Sequence, residues 1–220
     1  MATHAGTVAP GWVEVEAGGE RDHFSGDGTG VAIPIVIKFG LAPHWQLELG
    51  TPLNQPPAGT VGIGDLSAAL KWRLSDDLGP LARFAVQGTI KAPTGSDVKG
   101  RGTGTTDGSL LLISSHSFGS VGLDLNLGYT RRSGDGSVAP RDAVLWTAAS
   151  GFPLTGNLGG TAELYGYPSI DGSDAIVATL FGLTYGARPW LVFDAGAIVK
   201  IEGPQPFGLF AGVTWNIGRL

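Results

Sequence analysis

The sequence predicts an all-β fold: a closed antiparallel transmembrane β-barrel of about twelve strands, with short periplasmic turns and longer extracellular loops. Three observations predict it. Apolar and polar residues alternate with a period of two along most of the chain. The alternating runs are about ten residues long, whereas strands of water-soluble proteins cluster near five or six. The links between runs are tight and long by turns, as in outer-membrane barrels.

Composition agrees. Of 220 residues, 37 are glycine and only 15% are charged, and the mean hydropathy is +0.15. A water-soluble domain usually carries about 25% charged residues, so much of the outer surface is expected to avoid water. No run approaches the roughly 18–20 apolar residues of a spanning helix. Strands must do any crossing.

Residues 1–10 are expected to form an N-terminal tail, and 11–220 a single barrel domain. The opening MATHAGTVAPGW lacks the basic and apolar regions of a signal peptide. An exported protein is therefore expected here in mature form, with a restored initiator Met. The first strands fall at 11–19 and 31–40, separated by the long link ERDHFSGDGTG. After the tight LAPH comes 45–53, then NQPPAGTVG and the strand 63–74. Within it, DLSAALKWRL is the nearest approach to a helix. Its Leu66, Ala68, Leu70, Trp72 and Leu74, set against Ser67, Ala69, Lys71 and Arg73, fit period two better.

The tight SDDLGP leads to strands at 81–93 and 106–117, joined by the long TGSDVKGRGTGT. The stretch VGLDLNLGYTRR, 121–132, then alternates without a slip. Val121, Leu123, Leu125, Leu127 and Tyr129 share one face; Gly122, Asp124, Asn126, Gly128 and Thr130 share the other. Strands at 140–153, 158–168, 174–187, 190–201 and 206–217 complete the series. Their tight links are FGS, LTGN and RP; the others are SGDGSVA, SIDGS and EGPQ. Ten residues at ~3.3 Å, tilted by ~40°, span about 25 Å, the height of an outer-membrane apolar band. An even strand count leaves both ends of the chain on the tight-turn side.

Trp12, Trp45, Trp72, Trp190 and Trp215 all fall near the tight-turn ends of their strands; Trp146 alone sits mid-strand. Indole prefers a membrane interface, so these five are expected to form an aromatic girdle. The polar face is assigned to the lumen. It carries Glu14, Glu16, Lys38, Glu48, Asp65, Lys71, Arg73 and Arg83. Lys91, Asp124, Asn126, Arg132, Glu163, Asp194 and Lys200 follow. Both signs occur, interleaved with small residues, and they are expected to pair across a narrow, partly occluded lumen.

Several chemistries are excluded. The absence of cysteine removes disulfides, thiolate metal sites and thiol nucleophiles. A net charge of −5 does not suit a nucleic-acid binder. GRGTGTTDG at 100–108 precedes a strand and lacks the Gly-Lys-Ser/Thr of a phosphate loop, so it reads as an outer loop. The Asp-Gly pairs in SGDGTG, SGDGS and IDGSD are turn formers too sparse in carboxylates for calcium. His4, His23, His44 and His116 are not placed for a catalytic triad, although His116 stands beside Ser115 and Ser117. No catalytic residue, cofactor or metal is expected.

The phrases GWVEVEAG, KFGLAPHWQLELGTPL, GIGDLSAALKWRL, VQGTIKAPTG and GTGTTDGSLLL resemble a family of bacterial outer-membrane β-barrels. That family is described as putative MetA-pathway of phenol degradation, or transporter-like, and the resemblance runs over nearly the whole chain. It implies an outer-membrane channel or carrier for small or aromatic molecules; the paired lumen charges point to largely neutral ones, and a monomer is expected. The implied partners are membrane lipid or detergent and the machinery that assembles such barrels. The ending TWNIGRL departs from the aromatic last residue common in outer-membrane strands, while Trp215 and Ile217 keep the rest of that pattern. The alternative is an occluded barrel with a structural or loop-mediated binding role. Eight strands give a filled interior and sixteen an open one; about twelve lies between.

Overall fold

A computed structural model describes residues 2–24, 28–75, 82–134, 140–170 and 173–219. The strands are β1 (Trp12–Phe24), β2 (Gly28–Ala42), β3 (Trp45–Gln55), β4 (Gly62–Ile63), β5 (Leu66–Arg73), β6 (Arg83–Ala92) and β7 (Asp107–Phe118). They continue with β8 (Val121–Arg132), β9 (Asp142–Thr155), β10 (Leu158–Tyr167), β11 (Ile176–Arg188), β12 (Leu191–Glu202) and β13 (Phe207–Arg219). Every neighbouring pair is antiparallel, and β1 closes the sheet by pairing with both β2 and β13. Because β4 and β5 both lie along β3, the thirteen segments make a closed barrel of twelve staves.

The pleat sets which side chains face which way. Leu125 and Leu127 are 40% and 53% exposed, while Asn126 between them is 5% exposed. The apolar members of each alternation therefore lie outside, where Leu110, Leu112, Phe181, Leu183 and Leu209 are exposed as well. In water such a face would not be tolerated; in lipid it is required. Apolar clusters inside are small. Tyr165, Ala178, Leu180 and Ile198 pack with Phe210 on one side, and Ala85 and Ile113 pack with Leu111 on another.

Two-residue turns join β2 to β3, β7 to β8, β9 to β10 and β11 to β12 at one end. Gly119 (φ 63°) and Gly156 (φ 53°) occupy the left-handed region that such turns demand. Two expectations need correction. ERDHFSGDGTG is not mainly a loop, because β1 runs to Phe24 and β2 restarts at Gly28. Alternation persists there, with Glu20 and Asp22 opposite in facing to Arg21 and His23, so the ladder extends beyond the apolar band. The strand expected at 63–74 is broken at Gly64 and Asp65, where the Gly64 N–H donates to the Pro52 carbonyl at 2.7 Å. Most of SDDLGP and SGDGSVA, part of SGDGTG and SIDGS, and Leu220 lie outside the described residues.

Candidate functional site

The chain enters the barrel before it begins to build it. The tail is anchored at the tight-turn end, where Gly11 N–H donates to the Gly40 carbonyl (2.7 Å) and Trp12 N–H to Ala9 (2.9 Å). A side chain at Gly40 would collide with the Ala9 and Val8 carbonyls, so glycine there is what lets the tail turn inward. Residues 2–8 then cross the interior. Gln46 accepts the Val8 N–H (2.6 Å), Ser115 the Ala5 N–H (2.8 Å), and Glu163 the Ala2 N–H (2.7 Å). Asn126 makes a reciprocal pair with Thr3, accepting its N–H at 2.7 Å and donating to its carbonyl at 3.0 Å. Ala5 is fully buried against Ala85 and Ile113.

An extended segment inside a barrel has no ladder partner, so its backbone must be satisfied by side chains. The wall supplies them, and supports them in turn. Gln46 donates to Glu48 (2.7 Å), Lys71 lies 3.5 Å from Glu48, and Lys71 donates to Thr3 Oγ1 and the His4 carbonyl, each at 3.3 Å. Asp124 accepts from the Ser115 hydroxyl that holds Ala5.

A second insert lies toward the loop end. Residues 93–106 fold back onto the inner wall, around Asp65. Its carboxylate accepts from the Lys91 ammonium (2.7 Å), Gly95 N–H (3.0 Å) and Thr103 N–H (3.0 Å) and hydroxyl (3.1 Å). Lys91 also lies 3.3 Å from Asp107, which lies 3.8 Å from Arg132. Asn54 donates to the Arg101 carbonyl at 2.8 Å. The glycine-rich stretch at 100–108 thus carries a loop that fits closely round a buried carboxylate. A Cβ at Gly102 would strike Asp65.

The expected charge pairing is present from β2 to β8 and missing beyond. Lys38 pairs with Glu14 (3.2 Å) and with Glu16. Glu48, Lys71, Asp65, Lys91 and Arg132 are paired as above, Asp124 is hydrogen-bonded, and Arg73 and Arg83 stand on the same inward register of β5 and β6. Glu163 holds the tail rather than a cation. Asp194 has no hydrogen bond or ion pair among the described residues, and the charge that acts on it is Glu16, of like sign. Lys200 is exposed near the loop end of β12. Evenly matched signs around the lumen therefore describe one arc only. Glu20 and Asp22, counted in the sequence as loop, add two more carboxylates to the other arc.

Two cavities lie beside the tail among the described residues. One, about 680 Å³, lies between the tail and β1–β3, lined by Glu14, Lys38, Gln46 and Lys71 among others. The other, about 380 Å³, is lined by Glu16, Glu20, Asp194, Pro34, Val36 and Phe210, with glycines in its wall. Ala2 and Glu16 border both. The wall is locally spare there. Pro34 faces Pro52 across β2 and β3, and the β1–β2 ladder lapses between the Ala17–Ile35 and Glu20–Ala32 pairs.

On the outside, Trp12, Trp72, Trp190 and Trp215 are exposed, and Trp45 stacks on Trp72 with centroids 5.3 Å apart. Trp146 instead covers Gly166. His116 bonds Ser114 at 2.8 Å on the outer face, while Ser115 faces in. Among the described residues no group of three or more His, Cys, Asp or Glu could hold a metal. Sequence reasoning missed Gln46, Asp107, Ser115, Glu20 and Asp22. Their signal was an inward register position carrying an amide (Gln46), a hydroxyl (Ser115) or a carboxylate (Asp107, Glu20 and Asp22).

The fold has close structural relatives. An outer membrane channel from Pseudomonas putida F1 superposes with a TM-score of 0.73 at 12% identity, covering 96% of this chain and 97% of that one. The KdgM porin in complex with disordered oligogalacturonate follows with 0.67 at 9% identity, covering 92% and 98%. The NanC porin gives 0.65 at 8% identity over the same shares. At such identities the likeness establishes the fold. No curated protein matches the sequence. A family profile matches residues 2–215, nearly the whole barrel and the tail inside it, and the chain belongs to the family described as putative MetA-pathway of phenol degradation.

Proposed function

We propose that this chain is a passive channel of the bacterial outer membrane, a monomer that admits small, largely neutral or aromatic solutes and that residues 2–9 hold nearly closed. The observation that carries the reading is the pair of cavities meeting at Ala2 and Glu16, which run along one side of the inserted tail. The outward leucines and exposed tryptophans suit lipid, and the fold is shared with outer membrane channels and porins. A narrow bore between a tail and a wall passes solutes by size and polarity. No residue is assigned a catalytic role.

Planar-bilayer recording tests it. The unmutated protein is expected to show small, rare conductance. Asn126→Leu combined with Gln46→Leu removes two of the tail's holds and should raise conductance several-fold. Wide-porin conductance without mutation would overturn the constriction, and failure of the double variant to pass current or swell liposomes would overturn the channel. The second reading, an occluded barrel with a structural or loop-mediated role, is favoured by the number of hydrogen bonds on the tail. That last outcome would establish it.

A further inference from the structure

We infer that the channel prefers cations, and that Asp194 and Glu20 set this preference. The inference rests on the channel reading and adds which sign of charge is favoured among those solutes that are not neutral. Its ground is the unequal use of the two sides of the lumen. Both inserts stand on the arc from β2 to β8 and on Glu163, and that is also where the cations are engaged. Lys71 is taken up by Glu48 and the tail, and Lys91 by Asp65, Asp107 and the loop. What those side chains hold cannot be passed by a solute without breaking several bonds at once.

The unobstructed strip runs along β12, β13, β1 and β2. It is where the smaller cavity opens and where it joins the larger at Glu16. Along it, Asp194 lacks any described partner, and Glu20 packs against Asp22, a like charge. Two described cations share the inward register of this strip: Lys38 is bonded to Glu14 and Glu16, and Lys200 stands exposed beyond Ile198 near the loop end of β12, away from the smaller cavity. Beside these carboxylates, on the neighbouring strands β13 and β2, stand Phe210, Val36 and Pro34, which offer an apolar surface to the body of a solute. Unpaired carboxylates in a narrow, poorly hydrated bore attract cations and repel anions over a path with little screening. A small organic ammonium ion with an aromatic or aliphatic body matches both surfaces; the corresponding carboxylate matches only one.

The test uses the full chain in planar bilayers and in liposomes. A KCl gradient should give a reversal potential of the sign for K⁺ over Cl⁻, and benzylammonium should enter liposomes several-fold faster than benzoate. Asp194→Asn and Glu20→Gln are near-isosteric, and heat-modifiable migration checks that each still folds. Each should move the reversal potential toward zero, and the double variant furthest. Current with a Cl⁻ preference, or a K⁺ preference that both variants leave intact, overturns the inference while leaving the channel standing. Absence of both current and flux, even after the tail is released, overturns the channel and the inference with it.

Discussion

From β2 round to β8 the inner wall presents amides, hydroxyls and paired ions that grip inserted backbone; from β11 round to β1 it presents glycine, a few apolar groups and single carboxylates. Both arcs are built from the same pleat and cover the same lipid-facing exterior. The difference lies in what each must satisfy. On the first arc many buried polar groups have an insert or a counter-ion to meet, as Gln46 meets Val8 and Glu48. On the second, Gly18 and Gly212 line the smaller cavity, and Asp194 stands beside Gly212 with no ion pair among the described residues. One arc holds the lumen shut; the other is furnished as the way past.

The largest expected effect comes from breaking the gripping arc. Lys71 is 2% exposed, and Lys71→Met would leave Glu48 buried without its cation. A loss of about 3–5 kcal/mol is expected for a buried pair broken on one side. Asp194→Asn on the other arc removes no partner and should stay within about 0.5 kcal/mol. Urea titrations of the two variants in lipid vesicles give the contrast directly; equal losses would mean the arcs are not distinct.

The exterior that both arcs share supplies the next test. Leu125→Arg places a charge in lipid and should cost roughly 2–4 kcal/mol if the site is near the midplane. Spin labels at 123 and 125 should meet lipid-soluble oxygen more than labels at 124 and 126. The reverse accessibility would invert the barrel's faces.

Adding volume should act oppositely on the two arcs. Gly40→Val pushes against the carbonyls of Val8 and Ala9, so it should unseat the tail and raise conductance. Gly212→Val sits 2.9 Å from the Asp194 carboxylate and should fill the passage and lower it. Single-channel recording that finds the same sign for both would remove the distinction between a gripping wall and a passing one.

The smallest effect is at the rim. Trp72→Ala loses the stack on Trp45 and should cost about 0.5–1.5 kcal/mol beyond its buried area. Brominated lipids should quench Trp12, Trp45, Trp72, Trp190 and Trp215 more from headgroup depth than from the bilayer centre. Equal quenching would mean that they do not mark one interface.

Much of this architecture is legible in the chain itself. The run 121–132 assigns Leu125 outward and Asn126 inward with no structure in hand, because a pleated strand offers successive residues to opposite faces. The same rule places Glu14, Lys38, Glu48 and Lys71 inside. Pro and Gly mark most turns. The rule fails where polar alternation continues above the lipid, as at Glu20 and Asp22, since the absence of apolar residues there looks like a loop.

Local pattern dictates facing, strand length and turn position, for each depends on the residues within a few places along the chain. Partnership across the lumen does not. The tail's hydrogen bonds join residues 38 to 161 positions apart, from Val8–Gln46 to Ala2–Glu163. THAGTV has no periodicity that would announce an occupant of the lumen. Closure of the barrel brings Gln46, Ser115, Asn126 and Glu163 round one space, and only then do their amides, hydroxyls and carboxylates outnumber the partners the wall can offer. The tail's unpaired backbone answers them on one arc, and the carboxylates of the other are left facing the opening.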